Sequence, residues 1–553
     1  MKVFSVAEMV AAEKAADAAG VTYAQMMETA GKAVAEAIMS RRPLAEAKVL
    51  VLVGPGNNGG DGLVCGRYLA EAGADVAFYL YKPRDPESDV NYAKILEMGL
   101  FTIEAGFDQR YRVLRTRLDI TDILVDALLG TGVSRPIGGN LGKLMRLIRD
   151  KVTRWRQNDK VTRWQGDKAR TEPAEVVTDV SHLVSISSPH PLTPSSPHPL
   201  IVAVDCPSGL NCDTGALDPL AFPADLTVTF AGPKRGHFIF PGAAACGELV
   251  AADIGIPPDL PEVKGVKVEV VTAVTAQSLL PPRPPNGHKG AFGKILIASG
   301  CDLYRGAPVL AAKAAFRAGS GLVALAVPEV IRQSSTVLLP EATYAPVVDK
   351  TLLSAETARQ LLAQMGQYKA LLTGPGLGDA ADFLTTLLAG KKTLPPLVVD
   401  ADGLNILSRL PDWPSLLPPD TILTPHPGEM SRLMGISLRE LKARDRVAAA
   451  QEQAQTWGHI VLLKGAYTVV ARPSGTATII PFANPALAVG GSGDVLSGII
   501  VSLLGQGMAA YEAAILGAYL HGAAAALYPG SSGLLAGEMA DLVPQAMEQL
   551  RAT

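Results

Sequence analysis

The sequence predicts an α/β protein of two domains, each a mostly parallel sheet wrapped by helices. Three observations carry that expectation. The chain has 553 residues, 48% of them hydrophobic, with 54 glycines, which is enough apolar material for two cores of ordinary domain size. Short β-branched runs alternate with helical periodicity, first from Lys48 to Gly255 and again beyond residue 290. Between the two series lies the proline-rich LLPPRPPNGHKG of residues 279–290. The domain boundary is placed near residue 268, giving domains 1–268 and 269–553 with the proline segment as lead-in to the second.

The N-terminal MKVFSVAEMVAAEKAADAAG reads as an amphipathic helix, because it carries acidic residues early and lacks the unbroken apolar core of a signal peptide. The first strand series is KVLVLVG, DVAFYLY, DILVDALLG, LIVAVDCPSG and DLTVTFAG. Asn57, Asn58, Asp126 and Asp205 then fall at the C-terminal ends of three strands, where open α/β sheets place ligands. Residues 151–200 break the pattern. DKVTRW occurs twice, at 150–155 and 159–164, and SSPHPL twice, at 187–192 and 195–200, which reads as an insertion lengthened by local duplication. A surface excursion is expected there, since so proline- and serine-rich a run has little apolar content to offset its ordering entropy. A nucleic-acid stacking patch around Trp155 and Trp164 is the weaker reading. The second series is KILIASG, LVALAVP, KALLTGPG, PLVVDAD, TILTPHPGE and IVLLKG. Residues 495–528 are the most membrane-like, but Gly505, Gln506, Glu512 and His521 interrupt them, so buried helices are expected.

The balance of 50 basic against 53 acidic residues leaves a net charge of −3, which gives no global field toward nucleic acid or an anionic membrane. Small molecules are the expected partners. Five scattered cysteines form neither a disulfide framework nor metal-ligand spacing, which fits a reducing cytoplasm.

GPGNNGGDG, residues 54–62, resembles a phosphate loop without its lysine. Its glycines permit close backbone approach, and the following helix aims free N–H groups at whatever binds. Two further strand-end loops, DALLGTG from Asp126 and VDCPSG around Asp205, also join a polar group to glycines. Asn58, Asp126 and Ser208 together offer an amide, a carboxylate and a hydroxyl to a hard cation, and a single carboxylate suits a monovalent ion better than a divalent one. In the second half, LAVGGSGDVLSGII at 487–500 is a glycine-rich turn opening an apolar helix, with Asp494 at the N-terminus of that helix beside an anion hole.

These residues, in this order, resemble the family of bifunctional NAD(P)H-hydrate repair enzymes, a YjeF-type epimerase fused to an ADP-dependent dehydratase. The second half adds GHKGAFGKILIASG, TGPGLG, VVDADGLN, TPHPGEM and LLKGAYTVV to the match. The resemblance implies two three-layer α/β/α domains, the N-terminal one Rossmann-like and the C-terminal one ribokinase-like. It implies substrate contacts from Asn57, Asn58, Gly59, Gly60 and Asp61, from Gly130, Thr131, Gly132, Val133, Ser134, Arg135 and Pro136, and from Asp205. Potassium would be held by Asn58, Asp126 and Ser208. In the second domain it implies hydrate contacts from Ala307, Gly376, Gly378, His426 and Asp494, and nucleotide contacts from Lys464, Gly465, Ala466, Tyr467, Thr468 and Gly493. Magnesium would accompany ADP, or ATP, as phosphate donor, and the substrates would be NADHX and NADPHX. A homo-oligomer is expected.

Asp205 is the preferred acid/base of the first site, with Asp61 the competing candidate and capping of the PSG turn the structural alternative for Asp205. Asp494 is the expected base for phosphoryl transfer. His426 also reads as a helix start, and Lys464 as a strand-end lysine facing solvent. Two other functions stand beside the family reading: a small-molecule kinase with a non-catalytic N-terminal domain, and a binding or scaffold protein.

Overall fold

The fold was read from a computed structural model, which describes residues 1–133, 135–163, 182–187 and 198–552. The chain divides into two compact units, Met1–Val266 and Lys267–Thr553.

The first unit is built on strands β1 (Lys48–Val53), β2 (Asp75–Leu80), β3 (Phe101–Glu104), β4 (Ile123–Ala127), β5 (Leu183–Ser187), β6 (Leu200–Val204), β7 (Leu226–Phe230) and β8 (Glu248–Ala252). Their order in the sheet is β3-β2-β1-β4-β6-β7-β8-β5, parallel throughout except for β5, which runs antiparallel to β8. Burial on both faces explains the unbroken apolar runs. Val49, Val51 and Val53 enter one core with Ala30 and Val34 of the helix Tyr23–Met39, while Leu50 and Leu52 enter the other with Leu144 and Ile148. The sheet grows outward in both directions from the β1–β4 pair, so the loops leaving these two strands border the crevice at the topological switch point.

The expected excursion over 151–200 is overturned at both ends. The helix Gly139–Arg163 runs through the first DKVTRW copy and into the second. Its stripe of Leu144, Met145, Ile148 and Val152 continues at helical spacing across the change of composition, and Val152 is buried in the core. Arg156 donates to the Pro223 carbonyl at 3.0 Å and to Asp225 Oδ1 at 2.8 Å. At the other end, LVSIS alternates as a strand should, with Ile186 buried as β5 pairs with β8. Trp164, most of the first SSPHPL copy and half of the second lie outside the described residues. Deleting residues 152–198 is accordingly expected to lower the melting temperature of the first unit by roughly 5 °C or more, at about 2–4 °C per kcal/mol lost. An unchanged melting curve would show that the helix end and β5 contribute nothing.

The second unit has strands β9 (Val268–Val270), β10 (Lys294–Ala298), β11 (Leu322–Ala326), β12 (Thr343–Tyr344), β13 (Ala370–Thr373), β14 (Leu397–Val399), β15 (Ile422–Leu423), β16 (Ile460–Leu463), β17 (Val469–Ala471) and β18 (Ala477–Ile479). They form one sheet in the order β12-β11-β10-β13-β14-β15-β16-β17-β18-β9. The run from β12 to β16 is parallel, and β17 and β18 then add an antiparallel hairpin. The helices Ser492–Gly505 and Ala510–Ala526 account for the membrane-like composition, since both are buried in the core. Among the described residues no helix is long and apolar enough to cross a membrane.

Candidate active sites in the two units

The opening loop of the first unit is shaped from behind. Gly54 donates its N–H to the Ala127 carbonyl at 3.0 Å, tying the end of β1 to the end of β4. Arg84 then takes the loop carbonyls, donating from Nη2 to Gly54 at 2.9 Å and Gly56 at 2.7 Å, while Nη1 pairs with Asp89. The helix Asn57–Glu71 begins without a side-chain cap; the Gly59 N–H donates to the Gly56 carbonyl at 3.1 Å, and the N–H groups of Asn57 and Asn58 head the helix toward a ligand. Gly59 and Gly60 are buried in that first turn.

Asp126, the fourth residue of β4, is 1% exposed and Ser208 is 0% exposed. Ser208 donates from Oγ to Asp126 Oδ1 at 2.7 Å and from its backbone N–H to Oδ2 at 2.9 Å. Leu129 donates its N–H to Ser208 Oγ at 2.9 Å, and Asn58 Nδ2 donates to the Leu129 carbonyl at 3.2 Å. The three residues singled out as a cation shell are therefore joined by hydrogen bonds. Burial raises the Asp126 carboxyl to about 6 against those bonds, and no cationic side chain pairs with it among the described residues. That donor set, oxygen-rich around a carboxylate lacking a counter-charge, fits a weakly held monovalent cation.

Asp205 follows β6 with φ +62°, a conformation an aspartate tolerates better than most residues. Its side chain does not cap the PSG turn. Oδ1 accepts from Thr229 Oγ1 at 2.9 Å and from Lys234 Nζ at 2.5 Å. Burial pushes its pKa up, but the neighbouring Lys234 more than offsets this and holds it below the ordinary carboxylate value. Asp61 behaves oppositely. Burial, then the nearby Asp205 and Glu13 charges, push it well above the ordinary range.

Two clefts flank the loop and share Pro55, Gly56 and Asn57. One, of about 680 Å³, includes Glu13, Asp61 and Arg84 in its walls. The other, of about 820 Å³, is bounded by Asn58, by Gly130, Thr131, Gly132 and Val133, and by Arg135 and Pro136. Ser134 lies outside the described residues.

In the second unit the helix Ser492–Gly505 begins after Gly491, whose φ of +87° turns the chain, and it has no side-chain cap. Asp494 lies in its first turn. Burial, then the neighbouring Asp400 charge, push its carboxyl up to about 7 despite Lys464. Lys464 follows β16 and is turned inward, donating to Asp400 Oδ1 at 2.7 Å with Glu429 Oε2 at 3.7 Å. A Cβ on Gly493 would sit 3.4 Å from Lys464 Nζ and 3.8 Å from Asp400 Oδ2, so the glycine-rich turn, the lysine and the acidic pair meet. Gly465, Ala466, Tyr467 and Thr468 form the turn into β17, and Arg446 clamps it by donating to the Ala466 carbonyl at 2.6 Å and the Lys464 carbonyl at 3.1 Å.

His426 is the N-cap of the helix Pro427–Met434, accepting at Nδ1 from the Gly428 N–H at 2.9 Å. Its side chain is still 50% exposed, with Nε2 lying 3.3 Å from Glu429 Oε1. Gly376 and Gly378 follow β13. A Cβ on Gly376 would meet Tyr304 at 2.7 Å and Ala307 at 3.0 Å, which puts Ala307 and this loop side by side.

Several residues escaped the sequence reading. Lys234, 1% exposed, lies four residues past β7 in an unremarkable GPKRGH, and only its burial betrays it. Arg84, Arg446 and Asp400 act through backbone carbonyls or through another side chain, which no spacing rule detects. His521 is a fifth: its Nε2 meets the Ser492 carbonyl at 2.9 Å, and burial lowers it to about 4.

Two glycine-rich helix starts, each beside a carboxylate whose acidity burial displaces and each in its own α/β unit, define an enzyme with two separate active sites. Family models match both units: "YjeF-related protein N-terminus" over residues 23–162 and 172–236, and "NAD(P)H-hydrate dehydratase" over 295–545. The bifunctional NAD(P)H-hydrate repair enzyme of Moorella thermoacetica is 37% identical over 550 residues, covering 95% of this chain and 92% of the relative. That of Thermofilum pendens is 35% identical over 561 residues, covering 100% and 97%. Among solved structures, the ADP/ATP-dependent NAD(P)H-hydrate dehydratase of Bacillus subtilis, co-crystallised with ATP/Mg2+, shares 32% identity. It covers 51% of this chain and 99% of that one, with a TM-score of 0.45. The chain belongs to the family of bifunctional NAD(P)H-hydrate repair enzymes, joining a hydrate epimerase to a hydrate dehydratase. The plain-kinase and scaffold readings give way, because the relatives match across both units.

Proposed function

We propose that the first unit interconverts the R and S hydrates of NADH and NADPH with potassium beside the substrate, and that the second dehydrates the S hydrate at the expense of ADP, with ATP as a possible donor. Magnesium would enter with the nucleotide. The observation that carries the second reading is Asp494, half-ionised near neutrality at an uncapped helix start beside Lys464. Hydroxide is a poor leaving group. Asp494 takes the proton of the ring hydroxyl as that oxygen attacks the terminal phosphorus, and the amides of Gly491 to Gly493 steady the charge on the transferred group. The lone pair of the ring nitrogen then expels phosphate, and loss of a ring proton restores the reduced nicotinamide. Lys464, Gly465, Ala466, Tyr467, Thr468 and Gly493 would hold the nucleotide, and Ala307, Gly376, Gly378 and His426 the hydrate.

In the first unit, Asn57, Asn58, Gly59, Gly60 and Asp61 would face the substrate from one side of the crevice, and Gly130 to Pro136 from the other. Asn58, Asp126 and Ser208 would hold the potassium, whose charge anchors the substrate's anionic part. The proposed partners are thus NADHX, NADPHX and ADP. A homo-oligomer in the cytoplasm is the proposed setting, resting on the family resemblance, and light scattering tests its assembly.

Asp126→Ala removes the only carboxylate of the cation shell. On racemic hydrate with nucleotide and magnesium, the variant is expected to convert about half the substrate quickly and then slow to the spontaneous epimerisation rate. Replacing potassium by lithium should slow wild-type epimerisation in the same way while leaving the dehydratase unchanged. A variant that runs smoothly to completion across potassium concentrations would refute the cation site.

A further inference from the structure

We propose that Asp61, not Asp205, exchanges the proton with the ring hydroxyl during epimerisation, and that Lys234 is the positioning residue that withdraws Asp205 from that role. The proposal rests on the epimerase reading of this unit and goes beyond it by choosing between the two carboxylates.

The geometry separates them. Asp61 stands in the second turn of the helix Asn57–Glu71 and forms part of the wall of the 680 Å³ cleft beside Asn57 and Gly60. Its carboxyl makes no hydrogen bond among the described residues, so both oxygens remain for a ligand. Asp205 is occupied. Lys234 Nζ donates to Asp205 Oδ1 at 2.5 Å, to Thr229 Oγ1 at 2.8 Å and to the Phe230 carbonyl at 3.2 Å, which uses all three directions of an ammonium inside the protein. Lys234 is 1% exposed. Protonating Asp205 would strand a buried ammonium without its counter-charge, which is strongly unfavourable.

The charges around Asp61 point the same way. Glu13 from the N-terminal helix and Asp205 after β6 add to its desolvation, while Lys234 after β7 and Arg84 after β2 oppose it without prevailing. On its own helix, burial, and after it the Asp61 charge, push the Cys65 thiol up. Two neighbouring carboxylates are thereby split, one pushed toward its protonated form and the other toward its ionised form, the pattern that marks a donor and its fixed neighbour.

The step balances. Asp61 gives its proton to the hydroxyl oxygen on the carbon next to the ring nitrogen; that C–O bond breaks, its electron pair leaves on water, and the nitrogen lone pair forms C=N. Water adds to the opposite face, the C–O bond re-forms with inverted configuration, and the released proton returns to the Asp61 carboxylate. Nothing is oxidised or reduced.

The test follows interconversion of purified R hydrate by the full chain from pH 5 to 9. For the wild type, kcat/KM should be level at low pH and fall as pH rises through the elevated Asp61 pKa. Asp61→Asn should lower kcat by about 100-fold or more at every pH, with KM, melting temperature and the dehydration of S hydrate little changed. Asp205→Asn should retain interconversion at low pH with the alkaline fall moved to lower pH, because it removes an anion that raises Asp61 and leaves Lys234 unpaired. If Asp205→Asn unfolds the unit, the neutral double variant Asp205→Asn/Lys234→Met is read in its place and should likewise interconvert. A folded Asp205 variant inactive at every pH, or an Asp61→Asn variant near the wild-type rate, overturns the assignment. A wild-type protein that does not interconvert the hydrates would instead overturn the epimerase reading on which it rests.

Discussion

Asp494→Asn is expected to lower nucleotide-dependent dehydration about 1,000-fold while hydrate interconversion proceeds at the wild-type rate. Loss of a positioned base alone costs about 100- to 10,000-fold. The amide keeps the shape of the side chain, so the uncapped helix start and the neighbouring Lys464–Asp400 ion pair remain. Interconversion is spared because the first unit has its own core. The wild-type pH profile carries a linked expectation. Burial and the Asp400 charge place the Asp494 carboxyl at about 7, and a base works when ionised. The dehydration rate should therefore climb as pH rises through 7 and level off above it, and the residual rate of Asp494→Asn should lack that climb. Loss of both activities in a folded Asp494→Asn would contradict the independence of the sites.

Gly54→Val should have the mirror-image effect. A Cβ at Gly54 would lie 1.8 Å from the Leu128 carbonyl oxygen, and the atom it meets is backbone, which cannot rotate away. The ends of β1 and β4 would be forced apart there, breaking the Gly54 to Ala127 hydrogen bond and the seat of Arg84 on the loop carbonyls. Epimerisation should fall about 100-fold or more and the first unit should melt several degrees lower, while dehydration of S hydrate stays intact. Wild-type epimerisation in this variant would mean that the loop does not shape the site.

Much of this architecture was legible in the sequence because burial on both faces leaves apolar runs that periodicity can find, as in KVLVLV and KILIA. Phe101–Glu104 and Val268–Val270 were not, being short and set at or near sheet edges. The duplicated hexamers misled for a different reason. Composition over fifty residues hid the spacing of Ile148, Val152 and Trp155, which a window of one helix would have shown. At the sites, glycine-rich turns with an adjacent polar group were visible as motifs. The partners that set their acidity were not. Lys234, Arg84 and Arg446 owe their roles to contacts between segments remote in sequence, and the Asp205 ion pair with Lys234 exists only in the folded chain. Cysteines 206, 212 and 246, scattered in sequence, are likewise brought into one buried cluster.

The central claim is that one chain carries two complementary repair activities. It is tested most directly by incubating the full protein with racemic NADPH hydrate, potassium, magnesium and ADP, and following the absorbance of reduced nicotinamide. The account predicts a smooth rise past the half-way point to full recovery, dependent on nucleotide. A curve that stops at half, or no nucleotide-dependent rise at all, would contradict it.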